Sequence, residues 1–559
     1  MIRKNVVFLS LLLSFSIANA SDVLIKGLQD EMNRTMNLLK GEEIPPYYIA
    51  YNVTTLKKVN ISSKNGSILS SASSKNRILD IDLRVGDYKF DNTHIIRGNP
   101  IQFNFAGGAI QLPSEDNIPA IQNIIWNNTD KRFRAAVERY KKAETNQKVK
   151  VSEEDNSPDF SKEEAIDYNG NVKDFDVNIP QWEAMLKRVS AKFLNFPWIL
   201  SNNVFLQTEV QKKVFVNTEG SKMTWYETNA RLFIIAETKA DDGMSLPLYR
   251  SYFSFAPDGL PTEEQVSKEI DKMIELLNEL RKAPMAETYS GPAILSGEAA
   301  GVFFHEIFGH RVEGHREKDP NSSQTFKKSV GKLIMPDFIS IMFDPTRKLL
   351  NNTELSGYYE YDNEGVKAEK VLSVDKGVFK SFLMSRSPIE DFPHSNGHGR
   401  AQAGFNPVSR QSNLIVESTH QVSQDSLIKL LQLQIKEQNK EYGFYFAEVS
   451  GGFTFTNRTI PNAFNVTPLV VYKIFADGRP KELVRGVDLI GTPLTTFKNI
   501  LATGDDRGIF NGICGAESGG VPVSASSPSL LISNIEVQKK QKSQAKPPIL
   551  ESPKLIDNN

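Results

Sequence analysis

The chain has 559 residues, with 66 Lys+Arg against 67 Asp+Glu, 40% apolar and 24% charged. This is the composition of a soluble globular protein, and a net charge of −1 excludes an electrostatic nucleic-acid binder, which needs surplus cations to displace counterions from phosphates. The single cysteine, Cys514, cannot close an internal disulfide, so its role is packing, nucleophilicity or metal binding.

Arg3 and Lys4 precede an apolar run over 6–17, and Ala18-Asn19-Ala20 is a small-x-small cleavage site. This predicts a secretory signal peptide cut after Ala20 and too short to span a membrane. The mature protein is then periplasmic or secreted, with no membrane span. Residues 22–40 read as an amphipathic helix with Leu24, Leu28, Met32 and Leu38 near one face. From 79 to 85 apolar and charged residues alternate strictly, which predicts a half-buried strand turning at Gly86-Asp87. A charged helical stretch over 130–150 leads into 152–164, read as a solvated surface loop. Strands follow near 214–216 and 233–235, separated by a turn at 217–221.

Thr262 and Gln265 form a capping-box pattern at the start of a helix bearing Val266, Ile270, Ile274 and Leu277, and Pro284 ends it. The domain boundary is placed between 282 and 290. It divides the chain into a signal peptide (1–20), an N-terminal α+β domain (21–287), a C-terminal domain (288–537) and a disordered tail (538–559). The second half opens on the apolar run 292–295, then a Gly/Ala/Phe-rich segment and many short strands, with one further amphipathic helix over 426–436.

Three of the seven histidines, His305, His310 and His315, fall within eleven residues. The flanks Ala299, Ala300, Val302, Phe303, Phe304, Ile307 and Phe308 are apolar all round, which predicts a buried helix. Imidazoles and a carboxylate, Glu306, are costly to bury there unless they are paired, hydrogen-bonded or metal-bound. In the His-Glu-x-x-His string of zinc proteases, ligands four apart share a helical face. Here the spacing is five, which on an ideal helix leaves the rings about 140° apart. A π-type widening or a broken turn is therefore needed, and Gly309 eases it. A catalytic zinc takes three protein ligands and keeps one position open. His315, Glu313 and Cys514 are the candidates for the third. Read from the residues alone, the cluster is a metal site or a hydrogen-bonded core, and Cys514 is a thiolate ligand in a glycine-flanked loop or a small buried hydrophobe.

The run Leu295-Ser296-Gly297-Glu298-Ala299-Ala300-Gly301-Val302-Phe303-Phe304-His305-Glu306-Ile307-Phe308-Gly309-His310-Arg311-Val312-Glu313-Gly314 resembles the motif of the TldD/PmbA metalloprotease family. The likeness continues through Tyr361-Asp362-Asn363-Glu364-Gly365-Val366, Asn396-Gly397-His398-Gly399-Arg400, Val484-Arg485-Gly486 and Gly512-Ile513-Cys514-Gly515, over roughly 290–537. It implies a two-domain α+β fold of mixed and antiparallel sheets with flanking helices. It also implies a zinc (Zn2+) site made by His305, His310 and Cys514, with Glu306 as catalytic carboxylate. PmbA-like members lack the metal motif, so the chain resembles the TldD branch. The family's dimer encloses a chamber that admits unfolded or short peptides, which here implies a homodimer or a heterodimer with a PmbA-like partner. His398 and Arg400 are candidates for stabilising the oxyanion, and a structural turn is the alternative. Gly451-Gly452-Phe453-Thr454-Phe455-Thr456 is a candidate edge for strand addition by substrate. The reading of another class is a binding or scaffold protein with a structural metal site, closed by His315 or Glu313. The chain departs from better-known members in its export signal and in extra length at 130–165 and at the tail.

Overall fold

The alternation over 79–85 belongs to a longer strand, Ser67–Val85, which pairs antiparallel along its length with Pro46–Lys64. The computed structural model describes residues 20–96, 109–148, 155–454, 456, 464–491, 493–540, 546–548 and 550. The predicted leader, apart from Ala20, and most of the tail lie outside these residues.

The first sheet has seven strands. Ile110–Leu112, Ser67–Val85, Pro46–Lys64, Ser201–Asn217 and Lys222–Lys239 lie side by side, and Asp167–Asn169 and Ser245–Ser254 both pair with the last of them. The turn predicted at 217–221 joins the two longest of its later strands. Helices Ala20–Leu39 and Ile118–Lys148 cover one face, burying Leu24, Leu28, Ile121 and Ile125 among Ile49, Tyr51, Val53 and Leu79. Helix Glu263–Lys282 starts at a complete Thr262/Gln265 capping box. Its apolar stripe packs with Leu232, Ile234 and Leu248, and each such buried side chain stabilises by about 1.5–3 kcal/mol.

The second sheet has twelve strands and is mixed. Its long hairpin, Ile500–Ala516 with Gly519–Lys539, is antiparallel. Asn413–Ser418 joins Gly519–Lys539 in parallel, and Tyr289–Leu295 bridges Gly519–Lys539 and Tyr442–Thr454. Helix Gly297–Ile307 packs its phenylalanines among Leu530, Ile532, Phe444 and Phe446. Helix Gln424–Glu437 lies where 426–436 was predicted. The architecture is α+β with mixed and antiparallel sheets, and no described helix is long and apolar enough to cross a membrane.

Three expectations are corrected. The helix read from 130 begins twelve residues earlier, at Ile118, because its first turns carry little charge and escaped the charge pattern. Gln538 and Lys539, read as the start of a disordered tail, pair with Asp488 and Val487 as the end of the last strand. The centre of the 155–164 part of the supposed solvated loop is buried, with Asp159, Phe160 and Ser161 at 3%, 1% and 4% exposed, while the residues on either side are exposed or half-buried. Asp159 accepts from the Asp91 amide and meets His94 Nδ1 at 2.9 Å, and Arg386 lies over the Phe160 ring and donates to the Ser161 carbonyl. A charge run does not reveal whether water or opposite charges from a distant segment will face it.

Candidate metal centre

Ser296 caps helix Gly297–Ile307 by accepting from the Ala299 amide, and all but one residue of the helix is buried. The helix stops at Ile307. Phe308 caps it, its φ stretched to −114 while its amide still donates to the Phe304 carbonyl, and Gly309–Arg311 form a 3-10 turn. The five-residue spacing is thus met by a broken turn and not by a π-type widening. The break swings His310 back towards His305, with ring centroids 5.0 Å apart and planes at 79°. Gly309 matters here for space: a Cβ on it would meet Gln411 Oε1 at 1.9 Å. Gln411 donates to the His305 carbonyl at 3.2 Å. Arg311 donates to the carbonyls of Glu306 (2.7 Å) and Ile307 (3.3 Å), which the broken helix leaves without helical partners.

Cys514 lies on strand Ile500–Ala516, not on the loop expected from its glycine neighbours. Its Sγ is 3.4 Å from His310 Nε2. One ligand atom each from His305, His310 and Cys514 lie within 4.8 Å of one another. Zinc bonds of about 2.0–2.3 Å set tetrahedral ligand atoms roughly 3.3–3.8 Å apart, so modest side-chain movement completes the cage. The donor set also fits the ion. Burial raises the Cys514 thiol, but His310 and His305 outweigh it and hold its pKa well below the usual value, favouring the soft thiolate. Burial works against a charge on His310, yet Cys514 and Glu313 hold its pKa well above the ordinary one. His305, His310 and Cys514 are therefore the residues that would hold zinc.

Glu306 is 5% exposed and its Oε2 has no hydrogen-bond partner. Burial pushes its pKa up, against the lowering pull of His305 and His310. Glu313 stands behind His310, with Oε2 3.2 Å from His310 Nδ1 and accepting from Arg316 Nε at 2.8 Å. Although burial opposes its charge, His310 and Arg316 bring its pKa to about 2. This carboxylate–histidine contact is the usual device for orienting a metal-binding imidazole. His315, the other candidate ligand, pairs through Nε2 with Glu517 Oε1 at 2.5 Å. Neither Glu313 nor His315 joins the three-residue group.

His398 and Arg400 do not reach the centre. His398 is fully buried, with Nδ1 3.1 Å from Asn396 O and Nε2 3.2 Å from Ser412 Oγ. Burial pushes its pKa down to about 3, which keeps it neutral. Arg400 donates to the Gln411 carbonyl at 2.6 Å and lies 4.5 Å over the Tyr359 ring. Neither lines the cleft that exposes Glu306. The Asn-Gly-His-Gly-Arg run is structural, ending in the short strand Gly399–Arg400 that pairs with Val408–Ser409, and it supplies no oxyanion donor to the cleft beside Glu306. Sequence reading missed Gln411, Arg410 and Glu517, which no local pattern marks.

The cleft holds about 1100 Å³ and is lined from both sheets, by Arg231, Phe233 and Tyr249 of the first and by His305, Glu306, His310 and Cys514 of the second half. Ser450 to Thr454 form one wall. Strand Tyr442–Thr454 pairs along most of its length with Phe464–Phe475 on one side, with irregularities between Phe446 and Gly451, but meets Tyr289–Leu295 only at Phe444–Phe446 on the other. Among the described residues, no strand pairs with its 450–454 backbone on that side. Gly452 packs so close to Glu306 that a Cβ would lie 2.7 Å from Glu306 Cγ.

Residues 288–539, which contain the three ligands, match the family model described as the PmbA/TldA metallopeptidase C-terminal domain. Over this segment the chain is similar to the TldD/PmbA metallopeptidases. A metalloprotease of Archaeoglobus fulgidus is 29% identical over 273 residues, 49% of this chain and 59% of the relative. A zinc metalloprotease TldD homolog of Saccharolobus solfataricus is 26% identical over 277 residues, 49% of this chain and 56% of the relative. The TldD/PmbA-like chain thus spans somewhat over half the length of these relatives. TldE from Thermococcus kodakarensis has the same fold, with a TM-score of 0.56 at 13% identity, covering 91% of this chain and 100% of that one. A Thermotoga maritima structure gives a TM-score of 0.59 at 15% identity, with the same coverage.

Proposed function

We propose that the chain is an exported zinc-dependent peptidase of the TldD-like branch that hydrolyses unfolded or short peptides, working as a dimer that encloses the cleft. One observation carries the reading: the unpartnered Glu306 Oε2 lies beside the His305, His310 and Cys514 group in an open cleft. When bound, zinc supplies Lewis-acid polarisation of a carbonyl and acidifies water. Glu306 takes a proton from the attacking water at its free oxygen and returns it to the leaving amine. The 450–454 edge pairs with an extended peptide backbone, which folded proteins do not present. Phe453 and Ile513, 50% and 58% exposed on the cleft, offer apolar surface to its side chains. Export is supported by the leader pattern at 1–20, and the dimer by the family resemblance.

The closed structural site of a scaffold protein needs a fourth protein ligand, and its two nominees, Glu313 and His315, are engaged by Arg316 and Glu517. The test is metal analysis of the wild type and Cys514→Ser, with cleavage of an unstructured peptide by the wild type and Glu306→Gln. About one zinc per wild-type chain, lost in Cys514→Ser, and cleavage lost in Glu306→Gln with zinc retained are expected. A wild type that holds zinc but cuts no unstructured peptide overturns the enzyme reading.

A further inference from the structure

The His310 and Cys514 ligand arms are 204 residues apart in sequence, and their side chains meet at 3.4 Å. Pairing of Ile500–Ala516 with Gly519–Lys539 sets the register of Cys514, but it does not tie that strand to the helix carrying His305. Two buried guanidinium groups do grip the strand. Arg231, from the first sheet, donates to the carbonyls of Asn511 (2.9 Å) and Gly512 (3.1 Å). Arg410 donates to the Cys514 carbonyl itself at 2.6 Å, and to Ser518 Oγ and the Gly519 carbonyl at 2.7 and 3.0 Å, across the turn that follows.

Arg410 also faces the other arm. Its Nε lies 3.6 Å from Glu313 Oε1, and neither of these buried atoms has a hydrogen-bond partner. The second oxygen of Glu313 bonds His310 Nδ1. One fully buried side chain therefore touches Cys514 through its carbonyl and His310 through Glu313.

We propose that Arg410 is the positioning residue of the metal centre, setting the distance between the Cys514 sulfur and the His310 ring so that the cage is preformed. The proposal rests on the zinc reading above. A planar fork with five donors suits four acceptors spread around it. A lysine ammonium keeps the charge that balances Glu313, but its donors radiate from a single point and cannot span Cys514 O, Gly519 O and Glu313 Oε1 together.

The test uses the full chain as wild type, Arg410→Lys, Glu313→Gln, the double variant and Cys514→Ser. Zinc affinity is measured by chelator competition, and the thiolate-to-metal charge-transfer band is recorded after cobalt(II) substitution. Arg410→Lys is expected to weaken zinc binding about 10–100-fold, the range for outer partners of metal ligands, and to shift or weaken the cobalt–thiolate band. The double variant is expected to lose less than the product of the two single losses, because both changes break one link. Zinc affinity within twofold of wild type and an unchanged cobalt band in Arg410→Lys overturn the proposal, as do single losses that multiply in full. If Arg410→Lys does not fold, Glu313→Gln probes the same link from the His310 side, and unchanged affinity and spectrum there overturn it equally. A wild type that takes up neither ion sinks the zinc reading and this proposal together. A wild-type cobalt–thiolate band that Cys514→Ser abolishes and Arg410→Lys leaves intact sinks only the latter.

Discussion

Two buried histidine sites lie in the second half of the chain, one around His398 and one around His305 and His310, and they differ in how their polar atoms are satisfied. Around His398 every ring nitrogen has a partner, Asn396 on one side and Ser412 on the other, and the residue does not line the cleft beside Glu306. Around His305 and His310 the ligand atoms converge on one another, Glu306 Oε2 has no partner, and a cleft of about 1100 Å³ opens on them. Burial of a histidine is thus a poor mark of function. A polar atom left unsatisfied where a cavity reaches it is a better one, since folding alone gives no reason to bear its cost of about 1–3 kcal/mol.

The sharpest way to break this contrast is Glu306→Gln, which is expected to lower cleavage of an unstructured peptide by about 10²–10⁴-fold, the usual range for a general base, with zinc content unchanged by metal analysis. Next comes Cys514→Ser, expected to weaken zinc binding beyond the ~10–100-fold typical of outer partners in chelator competition. His398→Phe should do the reverse: zinc stoichiometry stays at the wild-type value while urea unfolding shows a loss of about 1–3 kcal/mol from the broken Asn396 and Ser412 contacts. Zinc loss in that variant removes the distinction between the sites.

The smallest effect is in the pH dependence of stability. Burial raises the pKa of Asp362, and that of Glu364 rises through burial and the neighbouring Asp362 carboxylate. Folded pKa values above those of the unfolded chain mean that the unfolded state binds fewer protons between them. Their contribution is therefore complete below pH about 4 and is lost as pH rises through the folded values. Glu364→Gln is expected to flatten the fall in unfolding free energy between pH 5.5 and 8.5, measured by urea titration, and an unchanged slope counts against it.

Much of the fold was legible because its signals are local. The Thr262/Gln265 box, the alternation over 79–85 and the all-apolar flanks of His305 each record how neighbouring residues meet a core. A distortion between His305 and His310 was legible too, because a spacing of five is incompatible with one face of a regular helix, though whether it would be a widened or a broken turn was not. What failed were inferences from local composition about distant partners. Asp159 and Phe160 read as wet until Arg386 and His94 were brought to them, and Arg400 read as catalytic until Gln411 and Tyr359 took its guanidinium.

The sequence by itself determined that a buried helix would carry His305 and Glu306 and would have to widen or break before His310. On residues alone it left Cys514 a packing residue or a ligand, and only the family resemblance chose between them. The tertiary structure decided where its sulfur lies. The Arg231 and Arg410 grips and the Gln411 contact beside Gly309 join residues about 100 to 280 positions apart. Contacts at that range leave no periodic trace in a chain, because each depends on two segments folding independently and then fitting together.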